Sequence, residues 1–213
     1  MKITLYGATG IVGQRILQEA LQRGHEVTAV VRDPSRLAVT NNHLTVVTGD
    51  VTDAASMDEA VRGQEVVVVS VSGRRDHDNS IFTEAAQTIL ETLPKAGVER
   101  LVWVGGAGSL EIAPNVRVMD TPEFPAAYLG EARAQGEVLN LFRTANTEVD
   151  WTFLSPPAEI APGERTGTYR LGGDQLLFDT AGKSHISTED YAVALLDEIE
   201  KPTHTRQRFT VAY

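Results

Sequence analysis

The sequence contains no cysteine. That excludes disulfides, thiolate nucleophiles and cysteine-ligated metals, and it says little about compartment. Long apolar runs are missing as well. No stretch approaches the roughly 20 residues a helix needs to cross a bilayer. The N-terminus enters a strand pattern at once, with no leader-peptide pattern, so the expectation is a cytoplasmic protein without membrane association. Basic residues are in deficit, 19 against 29 acidic ones, for a formal net charge of −10. Nucleic-acid phosphates require a basic surface, so this balance argues against a general nucleic-acid binder. A single anionic cofactor needs only a few local donors and stays compatible with it. The histidines at 25, 43, 77, 185 and 204 lie far apart without ligand spacing, so no metal site is expected. His77 stands in the charged run Arg74-Arg75-Asp76-His77-Asp78, which reads as solvated surface.

What is present is a core-forming composition, 42% hydrophobic, on 213 residues. This length suits one α/β domain over residues 1–213. The chain is organised around Gly7-Ala8-Thr9-Gly10-Ile11-Val12-Gly13. Lys2-Ile3-Thr4-Leu5-Tyr6 alternates like a strand before it. Val12, Ile16 and Ala20 recur every four residues after it, as on one helix face. Strand, glycine turn and helix in that order make a dinucleotide-binding unit. Gly7 permits the tight reversal, and Gly10 leaves the backbone open to a pyrophosphate on the helix N-terminus. Gly13 allows close helix packing, and the Thr9 hydroxyl is an added phosphate donor. The spacing is G-x-x-G-x-x-G, and its specificity comes from its position between strand and helix.

Further along, strands are expected at 26–31, 44–48, 65–70 and 100–104, with helices at 54–62 and 80–93 between them. The Val66–Val69 run suits a strand buried on both faces of a parallel sheet. Residues 72–79 read as a polar loop. Unbroken alternation predicts an α/β fold with a doubly wound, mainly parallel sheet. Residues 109–125, with three prolines, read as a long loop over the ligand side. A helix over 126–144 follows, with Val138, Leu141 and Phe142 on one face, then a strand over 150–154. Residues 158–183 read as a small irregular substrate region containing a hairpin. Ser187 and Asp190 have capping-box spacing ahead of a helix over 188–200, and a strand over 208–212 closes the chain.

The end of the second strand distinguishes the nicotinamide cofactors. A carboxylate there accepts from the ribose 2′-hydroxyl, whereas a guanidinium pairs with a 2′-phosphate. Arg32 comes first here, with Ser35 and Arg36 behind it, so NADP is preferred and NAD remains possible beside Asp33. Asp50 and Val51 end the third strand. There the carboxylate can accept the adenine amino group while the valine packs on the ring, or Asp50 can be a turn residue.

These motifs resemble atypical short-chain dehydrogenases with an NmrA-like Rossmann-type fold: the glycine turn, Val31-Arg32-Asp33-Pro34-Ser35-Arg36, and Gly49-Asp50-Val51. Val104-Gly105-Gly106-Ala107-Gly108-Ser109, Ser155-Pro156-Pro157-Ala158-Glu159, Arg165-Thr166-Gly167 and Arg208-Phe209-Thr210-Val211 resemble the bacterial NADH-flavin reductase group, which is similar to vertebrate biliverdin reductase B. The resemblance covers essentially the whole chain. It implies a cofactor set of Gly7, Thr9, Gly10, Ile11, Val12, Arg32, Arg36, Asp50 and Val51, with Ser70, Val71, Ser72 and Gly105 toward the nicotinamide. It also implies an acceptor near Ser109, Tyr128, Pro157 and Ala158, under residues 109–125 and 158–183. The vertebrate reductase carries a histidine where Ala158 stands, so any role of that histidine does not transfer.

Ordinary short-chain dehydrogenases use a Tyr-x-x-x-Lys pair. Here Tyr128, Tyr169 and Tyr191 are followed at that spacing by Ala132, Gly173 and Leu195. Hydride transfer to a flavin, quinone or similar planar acceptor needs no such pair, since the accompanying proton can come from solvent. No catalytic residue is assigned, and flavin is read as a substrate. An NmrA-like NADP-sensing regulator without turnover is the alternative. A sugar-nucleotide epimerase or dehydratase fits less well, because those usually keep the pair and a larger lobe.

Overall fold

The computed structural model describes residues 1–73 and 78–213. Its elements follow the expected alternation: β1 (Lys2–Tyr6), α1 (Ile11–Gln22), β2 (Glu26–Val31), β3 (Leu44–Thr48), α2 (Ala54–Val61), β4 (Val66–Val69), α3 (Ser80–Ala96) and β5 (Arg100–Val104). A hairpin of β6 (Glu111–Ala113) and β7 (Val116–Arg117) precedes α4 (Ala126–Thr144) and β8 (Asp150–Ser155). Then come β9 (Glu159–Ala161), β10 (Arg170–Gly172), β11 (His185–Ser187), α5 (Thr188–Glu200) and β12 (Gln207–Ala212). His77 and its charged neighbours at 74–76 lie outside the described residues, as does that part of the expected 72–79 loop.

Eight strands form the central sheet in the order β10-β12-β8-β5-β4-β1-β2-β3. Every pairing in it is parallel except β10 with β12. The strand order reverses between β1 and β4, which makes their carboxyl ends the switch point where α/β sheets bind ligands. Strand alternation splits the core in two. Ile3, Leu5, Val66 and Val68 face α1 and α5, while Tyr6, Val67 and Val69 face α2, α3 and α4. The valine run is therefore covered on both sides, as its composition requires. On α4, Val138, Leu139 and Phe142 are buried, and Leu141 is only partly so.

Two segments read as irregular have definite partners. Within 109–125, β6 and β7 turn at Asn115, whose φ of 62° is the left-handed conformation asparagine tolerates. Met119 beneath them is buried, so this is a packed hairpin and not an open loop. The hairpin expected within 158–183 does not form. β9 instead pairs in parallel with β11, and β10 extends the main sheet beside β12. Such partners lie far along the chain, where local periodicity carries no signal.

Ser187 does cap α5, its Oγ accepting from the Asp190 N–H at 2.9 Å. The reciprocal half of the box is missing. Asp190, fully buried, accepts instead from the Gly167 N–H at 2.7 Å, from Thr166 and from the Tyr213 hydroxyl. This carboxylate pins the strap around residues 163–169 across α1 and α5. Arg165 completes the attachment with two bonds, at 2.7 and 2.8 Å, to Glu19, which also accepts from Arg23.

The Arg165 hydrogen bonds hold the Glu19 carboxyl below the usual glutamate range; burial opposes them and Arg23 assists them. A lowered folded-state pKa means stabilisation that is complete above the ordinary glutamate value and lost as pH falls through the folded one. Glu19→Gln should therefore cost about 1–2 kcal/mol at neutral pH, discounted because Arg165 is half exposed. The deficit should shrink toward pH 3. Urea unfolding of both proteins across that range checks it, and a pH-independent difference would rule out Glu19 titration as the source.

Candidate functional site

At the switch point lies a cleft of about 260 Å³. Its centre is the glycine turn. Gly7 has φ of +85°, and a Cβ there would stand 2.0 Å from the Ser70 carbonyl oxygen at the end of β4. The Gly10 N–H closes the turn on the Gly7 oxygen at 3.0 Å. A Cβ on Gly13 would come within 2.0 Å of that same oxygen. Gly13 thus lets the first turn of α1 seat against the glycine turn itself. Gly10 is the N-cap of α1, yet no side chain caps the helix and no acidic residue occupies its first turn. The N–H groups at that end are left to a ligand, and the helix dipole favours an anion there.

Gly7, Thr9, Gly10, Arg32, Arg36, Asp50, Val51, Ser70, Val71 and Ser72 all line this one cleft. Ile11 and Val12, also expected there, do not line it: Ile11 is 63% exposed, and Val12 packs against the core on the α1 side of the sheet. Gly105 lies outside it, buried against Phe153, whose ring a Cβ at 105 would strike at 2.0 Å. The structure adds Tyr6, Val30, Val31, Gly49 and Ile81. Gly49 and Tyr6 had a signal in the sequence, since each closes a strand that ends at the site. Ile81 had none, because it arrives from the start of α3.

Asp33 caps a single 3-10 turn over Pro34–Arg36, accepting from the Ser35 N–H at 3.1 Å and its hydroxyl at 2.7 Å. Asp50 is a turn residue through Oδ1, which accepts from the N–H of Thr52 at 2.9 Å and its hydroxyl at 2.8 Å. The two readings of Asp50 are compatible, since this leaves Oδ2 to a ligand. Tyr6 lies within the influence of this carboxylate and of Asp53. Burial first, and then those two charges, push its phenol well above the ordinary tyrosine range.

The four residues expected near an acceptor do not line the cleft. The Ser109 hydroxyl accepts from Arg208 at 3.2 Å, and Arg208 is itself nearly buried and paired with Asp174. Tyr128 is 48% exposed on the first turn of α4. Pro157 is buried, whereas Ala158 is exposed and donates its N–H to the Ser184 hydroxyl at 3.2 Å. Ala132, which stands where a dehydrogenase lysine would follow Tyr128, is buried against Gly108. Among the described residues no group of three His, Asp or Glu side chains could hold a metal, and no helix is long and apolar enough to cross a membrane.

Residues 7–202 match the NAD(P)H-binding family. The chain belongs to that family. Its resemblance to atypical short-chain dehydrogenases with an NmrA-like fold holds on the same ground. The Bacillus subtilis protein YwnB is 42% identical over 99% of this chain and 98% of its own length. A proposed epimerase from Bacteroides thetaiotaomicron superposes with a TM-score of 0.91 at 46% identity, covering 100% of this chain and 96% of that one. A proposed NADH-flavin reductase from Streptococcus pneumoniae gives 0.88 at 33% identity, covering 100% and 99%. This NAD(P)H-binding protein thus has relatives along essentially its whole length whose names point to different reactions.

Proposed function

We propose that the whole chain, residues 1–213, acts as one NAD(P)H-binding reductase domain that passes hydride to a flavin, quinone or similar planar acceptor. The observation that carries this reading is the switch-point cleft with an uncapped helix N-terminus at its centre. A dinucleotide fits these residues: the Gly7 turn leaves room that any Cβ would fill, and the N–H groups of α1 offer donors for a pyrophosphate. Thr9 adds a hydroxyl beside them.

Arg32 and Arg36 at the cleft's edge suit a 2′-phosphate, which supports NADPH over NADH. The neighbouring carboxylate, Asp33, caps its own turn through Oδ1 alone, which does not bar a ribose hydroxyl, so NADH stays possible. Asp50 Oδ2 would take the adenine amino group, with Val51 against the ring. Ser70, Val71 and Ser72 would border the nicotinamide half.

Bound NAD(P)H would supply the hydride. No side chain need supply the proton to a flavin or quinone, and the burial of Ala132 in place of a lysine is consistent with that. The acceptor would lie toward Tyr128 and Ala158. Ser109, held by Arg208, keeps its own hydroxyl proton to donate there. The chain's contribution is binding, orientation and exclusion of water.

The test is oxidation of NADPH and NADH by the purified protein with FMN, riboflavin and a quinone, with each cofactor titrated alongside. Turnover with NADPH preferred is the expected result. Tight binding without turnover on any acceptor would overturn the reductase reading in favour of a cofactor sensor, the reading that the missing Tyr/Lys pair also allows.

A further inference from the structure

The longest stretch of the chain without Asp, Glu, Lys or Arg covers residues 37–49, thirteen positions in a sequence that is 23% charged. It lies on the surface. Eight of the thirteen residues are exposed, whereas the next longest such runs, 3–14 and 101–110, are buried strands and the turns that follow them. The stretch contains β3, the outermost strand of the main sheet. Its Leu-Thr-Val-Val-Thr sequence pairs with β2 in regular register, without bulge, proline or charge. Edge strands are usually short, charged or bulged, because their unpaired backbone groups invite another strand. The opposite edge follows that rule, since β10 has three residues and Arg170 is one of them. β3 does not. The Val27 N–H donates to the His43 oxygen at 2.8 Å, and the Gly49 N–H to the Val31 oxygen at 3.1 Å. Bonding alternates along a parallel ladder, so Thr45 and Val47 also bond β2, while Leu44, Val46 and Thr48 turn their backbone groups outward. The Leu44 N–H donates to the Asn41 oxygen at 3.1 Å. The N–H groups of Val46 and Thr48 and the carbonyls of Leu44, Val46 and Thr48 are left without a backbone partner among the described residues. The Val46 side chain beside them is 37% exposed.

We propose that this edge is an interface between two copies of the chain, with β3 pairing antiparallel to β3 of the second copy about a twofold axis through Val46. The outward groups are self-complementary in that register. Val46 exchanges both of its bonds with Val46 of the second copy. The Thr48 N–H of each chain donates to the Leu44 carbonyl of the other. Four bonds between chains then join the two eight-stranded sheets into one. Charge selects the same surface. Each copy carries a net charge of −10, so two copies repel wherever acidic surfaces meet. Along residues 37–49 they approach without opposed charges, and charge depletion is what marks the core of an interface. Val39 and Leu44, only partly covered by their own core, add apolar contact next to Val46. The twofold axis also closes the assembly, because each copy has one such edge. None of this depends on the nucleotide reading of the cleft.

Analytical ultracentrifugation of the native chain over a range of concentrations should show a monomer–dimer equilibrium and no larger species. Raising the salt should tighten the dimer, since screening relieves the repulsion between two chains of charge −10. Val46→Lys sets like charges opposite each other on the axis and should weaken the dimer about tenfold or more. Leu171→Lys, on the β10 edge and 50% exposed in the native chain, should leave it unchanged. Hydrogen exchange on the native chain covers the case in which Val46→Lys misfolds. The Val46 and Thr48 amides should exchange more slowly as the concentration rises through the dimer Kd. A native chain that stays monomeric would overturn the inference and leave the edge to an extended segment of another protein. Growth beyond the dimer would overturn it too. So would a dimer that survives Val46→Lys, or one that leaves those two amides unprotected.

Discussion

Gly7→Ala is expected to abolish measurable NADPH binding and to destabilise the chain well beyond what Gly24→Ala costs. The two glycines share a backbone conformation, with φ of +85° and +79°. An alanine at either one carries the same left-handed penalty, about 1–2 kcal/mol. Their surroundings differ. Nothing lies within 4 Å of a Cβ built on Gly24, whereas on Gly7 it meets the Ser70 oxygen at 2.0 Å and its carbon at 2.5 Å. Both atoms are backbone, so the clash is relieved only by parting the ends of β1 and β4, where the Ser70 N–H donates to the Tyr6 oxygen at 2.9 Å. Overpacking of that kind adds about 1–3 kcal/mol. It also moves the turn that presents the N–H groups of α1. Urea unfolding and NADPH titration of the two variants separate backbone strain from close approach. Equal losses at both positions would mean that the contact with Ser70 does not shape the site.

Arg32→Ala should weaken NADPH binding by roughly 30-fold, the equivalent of about 2 kcal/mol for charge-assisted bonds to a phosphate. NADH binding should change by less than about threefold, since a ribose hydroxyl offers the guanidinium no charge to pair with. Because Arg32 and Arg36 are exposed, the NADPH effect should shrink as salt is raised. Arg32→Lys should recover only part of it, because lysine keeps the charge and loses the forked donors. Parallel titrations with both cofactors at two ionic strengths decide the matter. An equal loss for the two would remove Arg32 from the 2′-phosphate site.

The parts of the site that were legible in the sequence are those carried by strand ends. Gly7 to Gly10, Arg32, Arg36, Asp50 and Val51 all lie in the short connections just after a β-strand, and a parallel sheet brings such ends to one edge. Ser70, Val71 and Ser72, implied by the resemblance, fall on that edge for the same reason. Gly105 also ends a strand, β5, but Phe153 on the neighbouring strand occupies the space in front of it. The side proposed for the acceptor was harder to read. Ser109 stands in a glycine-rich turn, and nothing near it in sequence predicts that Arg208, 99 residues away, holds its hydroxyl.

The sequence by itself determined the alternation of the main strands and helices, the glycine turn, the cap at Ser187 and a doubly wound, mainly parallel sheet. Each of these depends on periodicity or turn chemistry within about ten residues, and on the single hand that parallel crossovers take. Only the tertiary structure decided the partners. β9 chose β11 and β10 chose β12. Asp190 turned from its own helix to the strap at Thr166 and Gly167. The ring of Tyr6 was buried, with no hydrogen-bond partner for its hydroxyl among the described residues. Such choices follow from which surfaces meet once the sheet has assembled, and groups that meet only there leave no period or spacing in the chain.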